Sequence, residues 1–381
     1  MRNPFKFGGK VSGYQFYDRK ESFAKLRRRL LDGASNIVMT APRRYGKTSL
    51  VARVLESLQR EAGIRSILFD LSKVPTLARF CEEYVNAVLA AIGGAESLVH
   101  RVLACLANCD PTISVNVGVL RISLKFKSAL TESSISEVLD LPEKLLAEGN
   151  GGSLVVAFDE FQEVAELSKD FALEKIFRSC IQAHQHVRYV FLGSKTHLLE
   201  RMFADKSRPF YRSALQMPIG KPPPEESREF LRSRFADAGI LIADSAIDAL
   251  LAASDNIPFY LQAFASLVFE RVTDADEQEV KVGDIAAAGE ELVEINAAYF
   301  SELLAGLSGS QRILMEALAR EPVQEFSEEY RIRHDLPTLS TVHSALRELI
   351  KDGHVESSEG VHRIADPILV CYLQTSSAHV Y

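Results

Sequence analysis

Several features that would direct function are missing from the sequence. Cysteine is sparse: five residues, an odd number, with no pair spaced C-x-x-C. Cys105 and Cys109 lie one helical turn apart, but no histidine or second cysteine pair completes a zinc-ligand set. A disulfide scaffold and a zinc finger are therefore set aside, and buried reduced thiols are expected. No apolar run approaches the ~20 residues of a membrane span. Met1 to Lys10 hold no apolar signal core. The expectation is a cytoplasmic protein without a membrane partner. Positive charge is not in excess, since the formal net charge is −7, so any nucleic-acid contact needs a local basic patch. The chain has no internal repeat and no low-complexity tract. It also lacks the N-K-x-D motif that reads guanine, which disfavours GTP. It lacks a G-x-S-x-G elbow, and its nine histidines are scattered, which disfavours serine hydrolysis.

What is present is an ordinary globular composition, 47% apolar and 25% charged over 381 residues, enough for two or three domains. Residues 1–20 are rich in Gly, aromatic and basic residues and read as an extended arm. Apolar runs at 36–40, 66–70, 153–158 and 189–193, with a short one at 215–219, alternate with helical patterns. That order indicates a parallel α/β sheet. Between 112 and 127 the period changes to two, which predicts a hairpin turning near 118–121. Lys221-Pro222-Pro223-Pro224 marks a boundary. Helices follow at 224–238, 243–254, 257–273 and 283–306, as in a helical lid. From 307 the pattern is three helices and two short strands, the order of a winged helix. The predicted organisation is 1–220 for the arm and α/β core, 221–306 for the lid, and 307–381 for the winged-helix domain.

The most informative stretch is Ala41-Pro42-Arg43-Arg44-Tyr45-Gly46-Lys47-Thr48-Ser49. It follows an apolar strand and opens a helix, which is the setting a phosphate-binding loop requires. The loop Pro42 to Ser49, through the backbone N–H groups of Arg43 to Ser49 and the helix N-terminus, would hold a nucleotide's phosphates. Lys47 would reach the β- and γ-phosphates, and Thr48 would ligate Mg²⁺. The first position of G-x-x-x-x-G-K-[ST] is Ala41, not Gly. Arg43 and Arg44 lie within the loop and read as facing either solvent or a partner. Asp159 and Glu160 end the apolar strand 153–158. The first would hold Mg²⁺ and the second would polarise water. Ser194 ends the next strand and reads either as a γ-phosphate sensor or as a turn residue. Arg212, before the last core strand, reads either as an arginine finger, in cis or in trans, or as a surface arginine.

The motifs resemble those of the archaeal-type ATPases, in the STAND group of AAA+ P-loop NTPases. The resemblance is carried by Asn3-Pro4-Phe5, Phe16-Tyr17-Asp18-Arg19, Ala41 to Leu50, Phe158-Asp159-Glu160-Phe161-Gln162, Gly193-Ser194, Asn256-Ile257-Pro258 and Ala365-Asp366-Pro367. It spans nearly the whole chain, and the two Walker motifs are its most specific part. The lid segment has Asn256 where the family pattern has Gly. The resemblance implies a P-loop core, a helical lid and a C-terminal winged helix. The resulting expectation is a slow Mg²⁺-dependent ATPase that binds ATP and ADP and acts as a nucleotide-driven conformational switch or assembly factor, with a protein partner or self-assembly. The alternative is a DNA-binding or scaffolding adaptor in which nucleotide is mainly structural, with DNA met through the winged helix. The third helix there offers His343, Arg347 and Lys351 against Glu348 and Asp352, which is weakly basic.

Overall fold

Buried parallel strands need apolar residues on both faces, and the apolar runs of the first half become such strands. The computed structural model describes residues 2–8, 19–33, 35–93, 96–106, 109, 111–116, 119–124, 130–148, 152–167, 172–358 and 360–378. The chain forms two compact units: Asp18–Gly220, and Met1–Tyr17 together with Lys221–Tyr381.

The first unit runs α1 (Lys20–Asp32), β1 (Ile37–Thr40), α2 (Lys47–Ala62), β2 (Arg65–Asp70), α3 (Leu77–Ile92), α4 (Glu96–Cys105), β3 (Pro111–Asn116), β4 (Val119–Leu124), α5 (Glu132–Ala147), β5 (Leu154–Asp159), α6 (Glu163–Glu166), α7 (Ala172–Ala183), β6 (Val187–Gly193), α8 (Thr196–Ala204) and β7 (Leu215–Gln216). Its sheet has the order β2-β5-β6-β1-β7, and every neighbouring pair is parallel. All residues of β1 and β5 are buried. Parallel pairing brings the strand C-termini to one edge, where loops carry ligands in such sheets. The register sets Asp70 beside Asp159 and Thr40 beside Gly193 at that edge. Aromatic packing fixes the central strands: Phe158 of β5 stacks on Tyr189 and Phe191 of β6, with centroids 6.1 and 6.5 Å apart. β3 and β4 pair antiparallel, as the alternation predicts. Of the residues expected to turn, 119–121 belong to β4, and 118 lies outside the described residues.

The second unit continues with α9 (Pro224–Asp237), β8 (Leu241–Ile242), α10 (Asp244–Ala253), α11 (Pro258–Asp274), β9 (Glu279–Val280), α12 (Val282–Ala305), α13 (Gly309–Arg320), α14 (Glu328–Arg333), α15 (Leu339–Asp352), β10 (Val355–Ser358), β11 (Val361–Ile364) and α16 (Pro367–Ala378). β10 and β11 pair antiparallel as the wing. Ser308 and Gln311 form a capping box that starts α13. The helical reading of 224–306 holds except for a two-residue parallel pair, β8 with β9. α16 was not expected. Its start is set by Asp366, whose carboxylate accepts from the backbone N–H of Ile368 at 2.9 Å.

The sequence places the N-terminal arm with the α/β core. Its described residues, 2–8, fall in the second unit, together with the segments read as lid and winged helix. The reason is apolar: Phe5 is buried against Phe235, Phe230 and Phe269, with centroids 4.9, 5.9 and 6.4 Å away. Asn3 adds hydrogen bonds to Ser266 and Glu270. Residues 9–18, including Phe16 to Asp18 of the arm's motif, lie outside the described residues. All five cysteines are free thiols. Among the described residues, no helix is long and apolar enough to cross a membrane.

Candidate phosphate-binding site

Between β1 and α2 the backbone makes a tight curl. Gly46 has φ +80°, which glycine adopts without strain, and Arg44 has φ +70°. The curl turns Lys47 inward. Its side chain is 6% exposed, and Nζ donates to the carbonyl of Ala41, at the loop's own start, at 3.1 Å. Burial holds the Lys47 ammonium below its ordinary pKa; Glu160 and Asp159 pull it back up, and Arg43 pushes it down.

The next residue spans the sheet edge. Thr48 Oγ1 donates to Asp159 Oδ2 at 2.6 Å, joining the start of α2 to the end of β5. Burial raises the pKa of the Asp159 carboxyl. The Thr48 hydrogen bond and Lys47 oppose that rise, while Glu160 and Asp70 add to it.

Glu160 leaves the strand with φ +53°, a left-handed conformation that a glutamate holds only under constraint. Its Oε2 accepts from Gln162 Nε2 at 2.6 Å, from Ser194 Oγ at 2.8 Å and from Ser194 N at 3.1 Å. Burial opposes its ionisation, but the Gln162 hydrogen bond, the Lys47 charge and the two Ser194 bonds outweigh it. The carboxyl is held below its ordinary range.

Lys47, Thr48, Asp159, Glu160 and Ser194 are thus brought together. The other loop residues divide. Arg43 and Arg44 are exposed, Tyr45 is buried, and Pro42 and Ser49 are half-buried. Arg212 is not drawn into the group. It is exposed, with φ +54°, its guanidinium lies over the Tyr211 ring 5.2 Å from the centroid, and among the described residues no hydrogen bond or ion pair joins it to Lys47, Asp159 or Glu160. Sequence reasoning assigned no role to three residues that shape the site. Gln162 donates to Glu160, and Gly193 lies against the end of Gln162. Arg19, 5% exposed, donates through one guanidinium to the carbonyl of Tyr45 in the loop at 2.6 Å and to that of Gly220 at 2.5 Å. The signal available in the sequence is its place directly before a helix, at the end of the Phe16-to-Arg19 motif.

A family model described as an AAA domain matches residues 28–202, and one described as a probable winged helix domain matches residues 298–375. The chain thus carries an AAA domain and, C-terminal to it, a winged helix domain. The AAA match covers Lys47, Thr48, Asp159, Glu160 and Ser194 and ends before Arg212. Similar solved structures include a Walker-type ATPase of Pyrococcus abyssi, 20% identical with a TM-score of 0.66, covering 97% of this chain and 99% of that one. The ORC2 protein of Aeropyrum pernix, solved in ADPNP–ADP complexes, is 14% identical with a TM-score of 0.56 and 95% coverage of both chains. The ORC1 protein of Aeropyrum pernix, solved in complex with DNA, is 15% identical with a TM-score of 0.50, covering 98% of this chain and 96% of that one. At these identities the likeness is one of fold. No curated protein matches the sequence.

Proposed function

We propose that this AAA domain binds ATP with Mg²⁺ at the 41–49 loop and hydrolyses it slowly, as a nucleotide-driven conformational switch or assembly factor. The observation that carries the reading is the 2.6 Å contact of the Thr48 hydroxyl with the Asp159 carboxylate, between residues 111 positions apart. A hydroxyl and a carboxylate are the hard oxygen donors that magnesium prefers, so the donor set fits that ion. Magnesium held by Thr48 and Asp159 would neutralise charge on the phosphates. Lys47, already buried beside two carboxylates, would hold phosphate oxygens, with the loop's backbone N–H groups around them. Glu160 would orient a water and take its proton, and Ser194 fixes Glu160 by two hydrogen bonds. Arg212 would add positive charge on the γ-phosphate, in cis or from a second copy.

Lys47→Ala is expected to abolish ATP binding, and Glu160→Gln to bind ATP without turning it over. Binding retained by the Lys47 variant would sink the assignment. Mass measurement with a non-hydrolysable ATP analogue tests self-assembly, and a strict monomer with and without it excludes Arg212 acting in trans. The adaptor reading that uses DNA has weaker support: α15 exposes Arg347 and Lys351 next to Glu348 and Asp352, and Lys351 is paired with Glu348 at 3.6 Å. Absence of a salt-dependent shift of duplex DNA at low salt counts against it.

A further inference from the structure

Gln162 is 2% exposed and sits two residues beyond Glu160. Its amide Nε2 makes the shortest of the three hydrogen bonds on Glu160 Oε2. Its other end, Oε1, is buried and has no hydrogen-bond partner among the described residues. A buried unsatisfied acceptor costs stability, so packing must hold the amide in this orientation. Reversing the amide would set two acceptors against each other at Glu160, which fixes which end faces the carboxylate.

The packing involves the end of β6. A Cβ built on Gly193 would stand 2.4 Å from Gln162 Oε1 and 2.9 Å from Leu199 Cδ2. No side chain fits there while Gln162 occupies its place. The glycine is not required by its own backbone, since its φ is not in the left-handed region. What a side chain here would do is push the end of Gln162 out of its place. Phe161, between the two acidic-loop residues, is pinned as well: its N–H donates to the carbonyl of Leu192 at 2.7 Å. Gln162 and Glu160 therefore leave a fixed point on β6, and Ser194, next after Gly193, completes the hold on Oε2.

We propose that Gln162 is a positioning residue for Glu160, and that Gly193 supplies the space it needs. Through Nε2, Gln162 holds the carboxylate by Oε2 alone. Oε1, which receives no hydrogen bond among the described residues, is left for the attacking water. This deepens the ATPase reading and rests on it. The role is distinct from packing because a side chain of the same volume without the donor would fill the space but release Glu160.

The test is steady-state Mg-ATP hydrolysis by the full chain, with ATP binding measured separately. Gln162→Met, Gly193→Ala and the double variant are compared with wild type. Losing one hydrogen bond to a charged group should lower kcat about 10- to 100-fold. ATP affinity should stay close to wild type, because Gln162 donates to Glu160 and not to the loop. The double variant should be no worse than the poorer single one, since both remove the same contact. Should Gly193→Ala fail to fold, Gln162→Met decides alone. Full activity in Gln162→Met, or a kcat loss matched by lost ATP affinity, would overturn the proposal while leaving the ATPase reading standing. A wild-type chain that binds no ATP overturns both.

Discussion

Glu174 of α7 is fully buried and paired with Arg208 at 2.5 Å, in the segment that leads from α8 to Arg212. Consider Arg208→Met, which keeps the bulk and removes the charge. Breaking a buried ion pair from one side costs about 3–5 kcal/mol, because the remaining charge has no compensation. A unit of the size of Asp18–Gly220 shifts its melting point by roughly 2–4 °C per kcal/mol. The two estimates together predict a loss of about 6–20 °C at pH 7. The effect must also depend on pH. Burial raises the pKa of Glu174 above its ordinary value of 4.5, and Arg208 works against that rise. Removing Arg208 raises the folded-state pKa further. A group whose folded pKa exceeds its unfolded one stabilises below the unfolded pKa and loses that contribution as pH rises through the folded pKa. The Arg208→Met penalty should therefore be largest at pH 7 and shrink as pH approaches 4.5. Adding Glu174→Gln should recover most of the loss at pH 7. Calorimetry of the full chain at pH 7 and near pH 5 reads all three expectations. A loss under about 1 kcal/mol at pH 7, or a double variant as unstable as the single one, would refute the reasoning.

Three further outcomes are expected. Phe5→Ala should destabilise the Lys221–Tyr381 unit by about 3–5 kcal/mol. Limited proteolysis should then show lid and winged-helix fragments, with ATP affinity little changed. Thr48→Val leaves Asp159 without its hydroxyl donor and should cut Mg-ATP turnover about 10- to 100-fold in a standard phosphate-release assay. At Asp140, burial opposes ionisation, but the hydrogen bond and charge of His184 hold the carboxyl below its ordinary value of 3.8. A depressed folded pKa gives stability above the unfolded pKa that is lost as pH falls through the folded one. Asp140→Asn should therefore melt lower than wild type at pH 7, with the gap narrowing below about pH 4 in circular-dichroism melts.

The strands and most helices of the first unit could be read from the sequence because burial on both faces leaves a local trace. Leu154 to Phe158 is apolar without interruption, and its acidic end is adjacent in sequence to the strand that positions it. The same holds for the loop at 41–49, whose strand and helix neighbours are local. Other features leave no local trace. Phe5 is one aromatic residue in an arm, and only its contacts with Phe230, Phe235 and Phe269 assign it to the second unit. β8 and β9 are two residues each, too short for a period. Gly193 reads as a small residue at a strand end; the space it leaves is taken by the end of Gln162, 31 positions away in the chain. Ser194 could be a turn residue or a functional one by sequence, and its hydroxyl lies on Glu160. Arg212 reads by sequence either as an arginine finger or as a surface arginine, and its guanidinium rests over the ring of the neighbouring Tyr211.

Arg19 gives the chain something that its cysteines do not. Its partners lie 26 and 201 positions away, and it touches both through the backbone, so their side-chain identity is irrelevant to the bond. Gathering points that remote closes long loops, the task a disulfide performs in an oxidising compartment. Here the cross-link is a buried cation on two carbonyls, each bond worth about 1.5–3 kcal/mol. It needs no oxidant, it survives thiol reductants, and it can be undone and remade on the timescale of a conformational fluctuation.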